Sequence, residues 1–298
     1  MMKIGIIGGG AIGLLFAAYL QKGHDVTLYV RSEEQKKLIS SYGISLLAEG
    51  REHISSVQVL LTDEWKGEEE LSIIAVKQYD IHPLISIIND NQAAPPSSFL
   101  FLQNGMGHLS LLHELRARAI LVGTVEHGAL KKDARTVQHT GAGRTNIAVF
   151  SGEGTEAAEC LEETSGDFPF TVRKDYKEML LQKLVINAVV NPLTGILQVK
   201  NGELIENPFY YIVVQKYFAE ISAVLELSDP EEAFDALISV CRKTSSNTSS
   251  MLKDLQNQRQ TEADAILGYI LGEADKKNKH APLVHAFYSC IKGKEPGN

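Results

Sequence analysis

Cysteine is scarce in this chain of 298 residues: there are three, at positions 160, 241 and 290, with no CxxC spacing. That count gives neither a disulfide framework nor a zinc site, and it suits a reducing cytosol, so a cytoplasmic protein is expected. Basic residues are not in excess either. Lys and Arg number 29 against 37 Asp and Glu, a net charge of −8. A general nucleic-acid surface is therefore not expected, while a local basic pocket is compatible with this balance. No apolar run reaches ~18 residues, so no membrane span is expected. The opening MMKIGIIGGG is apolar but too short and too glycine-rich for a signal peptide. Internal repeats and low-complexity tracts are also missing. What remains, 44% hydrophobic and 22% charged, is a globular composition long enough for two domains.

Lys3–Ile7 (KIGII) is a short apolar run rich in β-branched residues and reads as a buried strand. It runs straight into Gly8-Gly9-Gly10-Ala11-Ile12-Gly13, a G-x-G-x-x-G turn. Ala11–Lys22 has helical apolar spacing and ends at Gly23, a C-cap candidate. Asp25–Val30 is the second strand. Strand, glycine turn, helix and strand within about thirty residues is the Rossmann setting in which this motif binds dinucleotides. Gly8 permits the tight turn, Gly10 lets backbone amides approach a pyrophosphate, and Gly13 lets the helix pack on the strand. The helix N-terminus adds a partial positive charge. The second strand ends Tyr29-Val30-Arg31-Ser32. An acid at that point would bind the ribose 2′-hydroxyl of NAD. A cation beside a hydroxyl instead favours the 2′-phosphate of NADP, through charge-assisted hydrogen bonds. Glu33 and Glu34 stand close by as alternative ribose acceptors.

Further strands are expected at Ile44–Ala48, His53–Leu61, Leu71–Val76 and Phe99–Leu102. The third of these ends at Lys77 and the last at Gln103-Asn104-Gly105-Met106-Gly107. In open parallel sheets, ligands sit beyond the carboxyl ends of the strands. The glycine turn, Arg31, Lys77 and Asn104 all fall at such ends. Lys77 would be a second cation for the 2′-phosphate. Asn104 either reaches cofactor or substrate or closes an Asx turn. Ala119–Leu130 and Thr136–Phe150, the latter broken by Gly141-Ala142-Gly143, alternate as strands and are expected to extend the sheet's edge. His127 and His139 lack metal-ligand spacing and read as structural; no metal site is expected. Thr155–Thr164 reads as a helix, followed by a short strand near Phe168–Val172.

From about Lys174 only helical periodicity remains, punctuated at Asn201-Gly202, Asn207-Pro208, Asp229-Pro230 and Ala281-Pro282. The stretch Lys183–Pro192 (KLVINAVVNP) carries Lys183, Asn187 and Asn191 four residues apart, with apolar residues between them. On a helix these three share one face. Burying an unpaired lysine is costly, so such a stripe suits a polar, anionic ligand, or pairs with a neighbouring helix or solvent. Pro192 is expected to kink or interrupt the helix. A second polar group, Asn247-Thr248-Ser249-Ser250, resembles helix-capping chemistry. Thr261 is another N-cap candidate, with Asp264 three residues later. Such a cap would break the chain near Gln260. The break matters, because on one unbroken helix Ser250 and Glu262 would stand ~18 Å apart.

Taken together, GGGAIG, QNGMG, KLVINAVVNPLTGI, NGEL at 201–204, NTSSMLKD and QTEAD resemble ketopantoate reductases (2-dehydropantoate 2-reductases), in order and over nearly the whole chain. The resemblance implies an α/β Rossmann-type dinucleotide-binding domain over residues 1–173 and an all-α substrate and catalytic domain over residues 174–298. It implies NADPH-dependent reduction of 2-dehydropantoate to (R)-pantoate, on the way to pantothenate and coenzyme A. By resemblance Lys183 is the catalytic general acid and Glu262 its acidic partner. Asn104, Asn187, Asn191, Asn247 and Ser250 bind substrate or position the nicotinamide. The cofactor is held by Gly8, Gly9, Gly10, Ala11, Ile12, Gly13, Arg31 and Lys77, with Asn104 and Glu262. Family members often read TEID and then ING, where this chain has Glu262-Ala263-Asp264 and Leu267-Gly268. The substrate is expected in the cleft between the two domains. A homodimer through the helical domain is compatible with this reading, though nothing in the sequence demands it. The alternatives are a reductase of another branched 2-oxo acid and a non-enzymatic NADP(H) sensor.

Overall fold

The computed structural model describes residues 1–90, 98–153, 155–164 and 166–297. Two compact units result: Met1–Gln103 with Leu109–Met179, and Asn104–His108 with Leu180–Asn298. In the first, β1 (Lys3–Ile7), α1 (Ala11–Leu20), β2 (Asp25–Val30) and α2 (Glu33–Tyr42) follow in order. Then come β3 (Ile44–Ala48), β4 (Arg51–Ser55), β5 (Gln58–Leu61), β6 (Leu71–Ile74), α3 (Ile81–Asp90), β7 (Ser98–Phe101) and α4 (Leu109–Leu112). The unit continues with β8 (Ala119–Val125), β9 (Gly128–Lys131), β10 (Thr136–Gly141), β11 (Thr145–Gly152), α5 (Glu156–Thr164) and β12 (Phe170–Val172).

The main sheet runs β12-β11-β8-β7-β6-β1-β2-β5. Every pairing in it is parallel except β8 with β11. Every residue of β6, β7 and β8 is buried, as are four of the five in β1. Successive side chains point to opposite faces, so such runs belong to a sheet covered on both sides. Ile4, Ile6, Leu14, Phe16, Leu28 and Leu100 belong to one core cluster, each fully buried.

Several local expectations change. His53–Leu61 is two strands: β4 joins a second sheet, β4-β3-β10-β9, while β5 edges the main one. Likewise β8 and β11 lie within the main sheet, and β9 and β10 leave it for the second. Glycines permit that departure. A Cβ at Gly143 would come 2.6 Å from the Glu126 carbonyl carbon, and one at Gly128 would come 2.6 Å from Thr140 Oγ1. Helix α1 ends at Leu20 rather than Lys22, with Gln21 as its C-cap, so Gly23 does not cap it.

Past the first unit's last strand, every regular element among the described residues is helical. These helices are α6 (Tyr176–Leu197), α7 (Glu203–Glu206), α8 (Pro208–Leu225), α9 (Pro230–Lys243), α10 (Ser250–Gln256), α11 (Tyr269–Lys276) and α12 (Pro282–Lys292). A π-helical stretch, Asp264–Gly268, precedes α11. Asn207 and Asp229 each cap the next helix, Asn207 accepting from Phe209 N and Asp229 from Glu232 N. Helix α6 is long and apolar enough to cross a membrane by length and composition alone, but 61% of that window is buried within the protein. It also runs without interruption through Pro192. The flanking Val189, Val190 and Leu193 are at most 4% exposed. Burial of these turns outweighs the one backbone hydrogen bond that proline removes.

Candidate functional site

In the first unit the site is made mostly of backbone. Gly8 sits at φ +118°, and a Cβ there would press on the Ala75–Val76 peptide at 3.0 Å. At Gly13 a Cβ would lie 1.8 Å from the Gly8 carbonyl oxygen, so only glycine lets α1 close on the turn. Gly10 differs: a Cβ there would meet nothing within 4 Å, so the turn faces open space at that point. Gly10 is also the N-cap of α1, with no capping side chain on the first-turn amides. Uncapped amides at an open helix N-terminus fit a pyrophosphate. The residues present therefore suit a dinucleotide.

Two side chains that no sequence signal marks hold this turn from behind. The Gly9 carbonyl accepts from Gln35 Nε2 at 2.9 Å and from Lys131 Nζ at 2.8 Å. Gln35 also donates to the Ala134 carbonyl at 2.6 Å. Arg31, directly after β2, is 70% exposed and makes a two-pronged ion pair with Asp80. Lys77 is half-buried after β6 and precedes the short 3-10 turn Gln78–Asp80. Ser32 caps α2, accepting from Gln35 N at 3.3 Å. Gln103 donates to the carbonyls of Ile74 and Val76, at 3.0 and 2.9 Å, and so ties the end of β7 to the exit of β6.

In the second unit the candidate residues are side chains. Asn104, immediately after Gln103, donates through Nδ2 to Glu262 Oε2 at 2.8 Å. Glu262 is only 8% exposed. These residues stand 158 positions apart, and a glycine brings them together. Gly105 sits at φ +79°, and a Cβ there would come 2.1 Å from the Ala265 carbonyl oxygen. That carbonyl lies in the π-helical stretch, a form common at functional sites. Glu262 lies in the break between α10 and the next helix, which starts at Ala263. Thr261 accepts from Ala263 N at 3.1 Å, but Asp264 does not complete a capping box. Its carboxylate accepts instead from Tyr288 Oη at 2.6 Å and Lys292 Nζ at 3.0 Å. Glu295, after α12, takes the Thr261 amide at 3.0 Å and so anchors the segment before Glu262.

On α6, Lys183 and Asn187 are half-buried and Asn191 is buried at 6% exposure. One turn on, Thr194 Oγ1 hydrogen-bonds the Val190 carbonyl at 2.7 Å and lies 2.7 Å from Ser249 Oγ. Ser249, not Ser250, caps α10, accepting from Leu252 N at 3.1 Å. Ser250 is thereby released from capping and is exposed, while Asn247 just before it is exposed as well. His108 was not marked by the sequence. It is fully buried, in the same short segment as Asn104. Burial lowers its pKa to about 4, against an opposing pull from Glu262. His127 and His139 form a chain with Tyr19, Tyr19 Oη lying 2.8 Å from His139 Nδ1 and His139 Nε2 3.2 Å from His127 Nδ1. No cluster of three or more metal-ligating side chains occurs among the described residues.

A lysine in a stripe of asparagines can stabilise and protonate an oxyanion, and a buried carboxylate held by an amide can accept from a hydroxyl or an ammonium. Comparison with known proteins gives the family. The family model described as ketopantoate reductase PanE/ApbA matches residues 4–152, and its C-terminal counterpart matches residues 175–295. A 2-dehydropantoate 2-reductase of Bacillus subtilis is 40% identical, over 99% of this chain and 98% of its own. One from Listeria innocua is 39% identical, over 99% and 97%. Among solved structures, the probable 2-dehydropantoate 2-reductase of Bacillus subtilis has a TM-score of 0.89 at 39% identity, covering 98% of this chain and 100% of that one. D-mandelate dehydrogenase, solved with NADH and anilino(oxo)acetate, has a TM-score of 0.88 at 25% identity, covering 98% of each chain. The chain belongs to the ketopantoate reductase family.

Proposed function

We propose that this protein reduces 2-dehydropantoate to (R)-pantoate with NADPH, as a step toward pantothenate and coenzyme A. The observation that carries the reading is the Glu262 carboxylate, buried and held by the Asn104 amide, in a chain 40% identical to a 2-dehydropantoate 2-reductase. Residues 1–173 are taken as the NADP-binding domain and residues 174–298 as the substrate and catalytic domain. NADPH, when bound, supplies the hydride that reduces the C2 carbonyl. The glycine turn, Gly8 to Gly13, binds the pyrophosphate through backbone amides, and Arg31 and Lys77 bind the 2′-phosphate. Lys183 stabilises the charge developing on the carbonyl oxygen and delivers a proton to it from Nζ. Glu262 orients the lysine and accepts a substrate hydroxyl, while Asn104 fixes the carboxylate. Asn187, Asn191, Asn247 and Ser250 bind the substrate's carboxylate and hydroxyl groups.

The test is NADPH oxidation with 2-dehydropantoate, beside NADH and beside a panel of branched 2-oxo acids. Fast turnover confined to NADPH and 2-dehydropantoate supports the reading; equal or faster turnover of another 2-oxo acid replaces the substrate. The likeness to D-mandelate dehydrogenase, a structure solved with NADH, favours that second reading in particular. Binding of NADPH without turnover of any 2-oxo acid would turn the reading toward a sensor. We further propose a cytoplasmic location, supported by three free thiols. A homodimer is proposed as well, supported by Phe209 and Ile212 exposed on α8; a monomer in analytical ultracentrifugation would refute it.

A further inference from the structure

We propose that Asp80 is a specificity-determining residue for the cofactor. Its carboxylate occupies the Arg31 guanidinium that a 2′-phosphate requires, and so it narrows the preference for NADPH over NADH. The proposal rests on the reading of Arg31 as the 2′-phosphate contact.

Topology brings the two residues together. Strand β1, which ends in the glycine turn, lies between β6 and β2. Arg31 is the first residue after β2, and Asp80 closes the short 3-10 turn that follows β6. The pair therefore spans the strand end from which the glycine turn leaves. Arg31 Nη1 donates to Asp80 Oδ1 at 3.0 Å, and Nη2 donates to Oδ2 at 2.5 Å. A guanidinium offers its N–H groups as a planar fork that matches a carboxylate or a phosphate equally well. Asp80 thus takes the two donors a phosphate monoester would take.

Exposure decides which anion can win. The Arg31 side chain is 70% exposed and that of Asp80 20%. An ion pair so open to solvent is weak, and a dianion can displace it. Displacement does not send the carboxylate away, however. Asp80 is tethered by its turn, its backbone N–H bonded to the Lys77 carbonyl at 2.9 Å. A bound 2′-phosphate then has a fixed negative neighbour, which weakens its hold. A ribose with a free 2′-hydroxyl carries no such charge. It leaves the pair in place and can donate to the carboxylate, the part an acid plays at this position in NAD-binding sites.

The experiment is equilibrium calorimetry with adenosine 2′,5′-bisphosphate and with AMP, which lacks the 2′-phosphate, on the full chain. Fluorescence titrations with NADPH and NADH run in parallel. The variants are Asp80→Asn, Asp80→Ala and Arg31→Ala, each checked for folding by circular dichroism. The proposal expects Asp80→Asn to tighten the bisphosphate and NADPH by ~3–10-fold, while AMP and NADH bind no better than before. Arg31→Ala should weaken the bisphosphate by ~10-fold or more and leave AMP unchanged. If Arg31→Ala weakens the bisphosphate but both Asp80 variants leave it unchanged or weaken it, the Arg31 reading stands and the proposal falls; Asp80 would then be a prop for the guanidinium. If Arg31→Ala leaves bisphosphate and AMP binding alike unchanged, the reading of Arg31 fails and the proposal falls with it.

Discussion

The residues proposed to bind cofactor and those proposed to act on substrate are of different kinds in the two units. In the first, the working surface is main chain: a glycine turn at the end of β1, shaped by Gly8 and Gly13, left open at Gly10 and braced behind by Gln35 and Lys131. In the second, the proposed working groups are side chains: Lys183, Asn187 and Asn191 on α6, and Glu262 under the amide of Asn104. The difference follows from the chemistry. A pyrophosphate is bound well by any set of converging N–H groups, so backbone suffices and side chains must stay out. Protonating a developing alkoxide needs a titratable group, which backbone cannot supply. Substitutions at the glycine turn should therefore act by adding atoms, and those at Lys183 by removing them.

The largest effect should come from removing Lys183. Lys183→Ala is expected to lower kcat by ~10²–10⁴-fold, with circular dichroism and melting temperature unchanged. Next is the addition of a single methyl at Gly13. Its Cβ would sit 1.8 Å from the Gly8 carbonyl oxygen, so Gly13→Ala should cost ~3 kcal/mol in urea unfolding and abolish NADPH binding.

Acid should act on the second unit through His108. Burial holds the folded ring neutral down to about pH 4, against an ordinary value of 6.5. Between those values the unfolded chain binds the extra proton, so stability is complete above about pH 6.5 and falls on acidification. The loss is on the order of 3 kcal/mol by pH 4, and urea titrations across this range should show a shallower slope in His108→Leu. Smallest is the cap of α10. Ser249→Ala removes the acceptor for Leu252 N and the partner of Thr194, and should cost about 1 kcal/mol by thermal melting with little change in KM.

Much of this was legible in the residues, and the reason is physical. A glycine turn between an apolar strand and an apolar helix has few other uses, and the stripe Lys183, Asn187, Asn191 declares its face by spacing alone. The break before Glu262 was signalled by Thr261, whose hydroxyl does accept from Ala263 N. What the chain hid were pairings set by long-range packing. Asp80 on Arg31, Glu295 on Thr261 and Asn104 on Glu262 join residues 49, 34 and 158 positions apart. Of the two outcomes expected at Pro192, a kink or an interruption, the interruption does not occur, because burial of the flanking turns offsets the one lost hydrogen bond. Local rules left open whether Ser250 or its neighbour caps α10; the neighbour does.

The division of labour between backbone and side chain is tested most directly by one crossed measurement: NADPH affinity by fluorescence and single-turnover oxidation of NADPH by 2-dehydropantoate, in Gly13→Ala and Lys183→Ala side by side. The account predicts that Lys183→Ala binds NADPH as the wild type does yet fails to turn over, while Gly13→Ala fails to bind. Turnover at the wild-type rate in Lys183→Ala, or tight NADPH binding in Gly13→Ala, would contradict it.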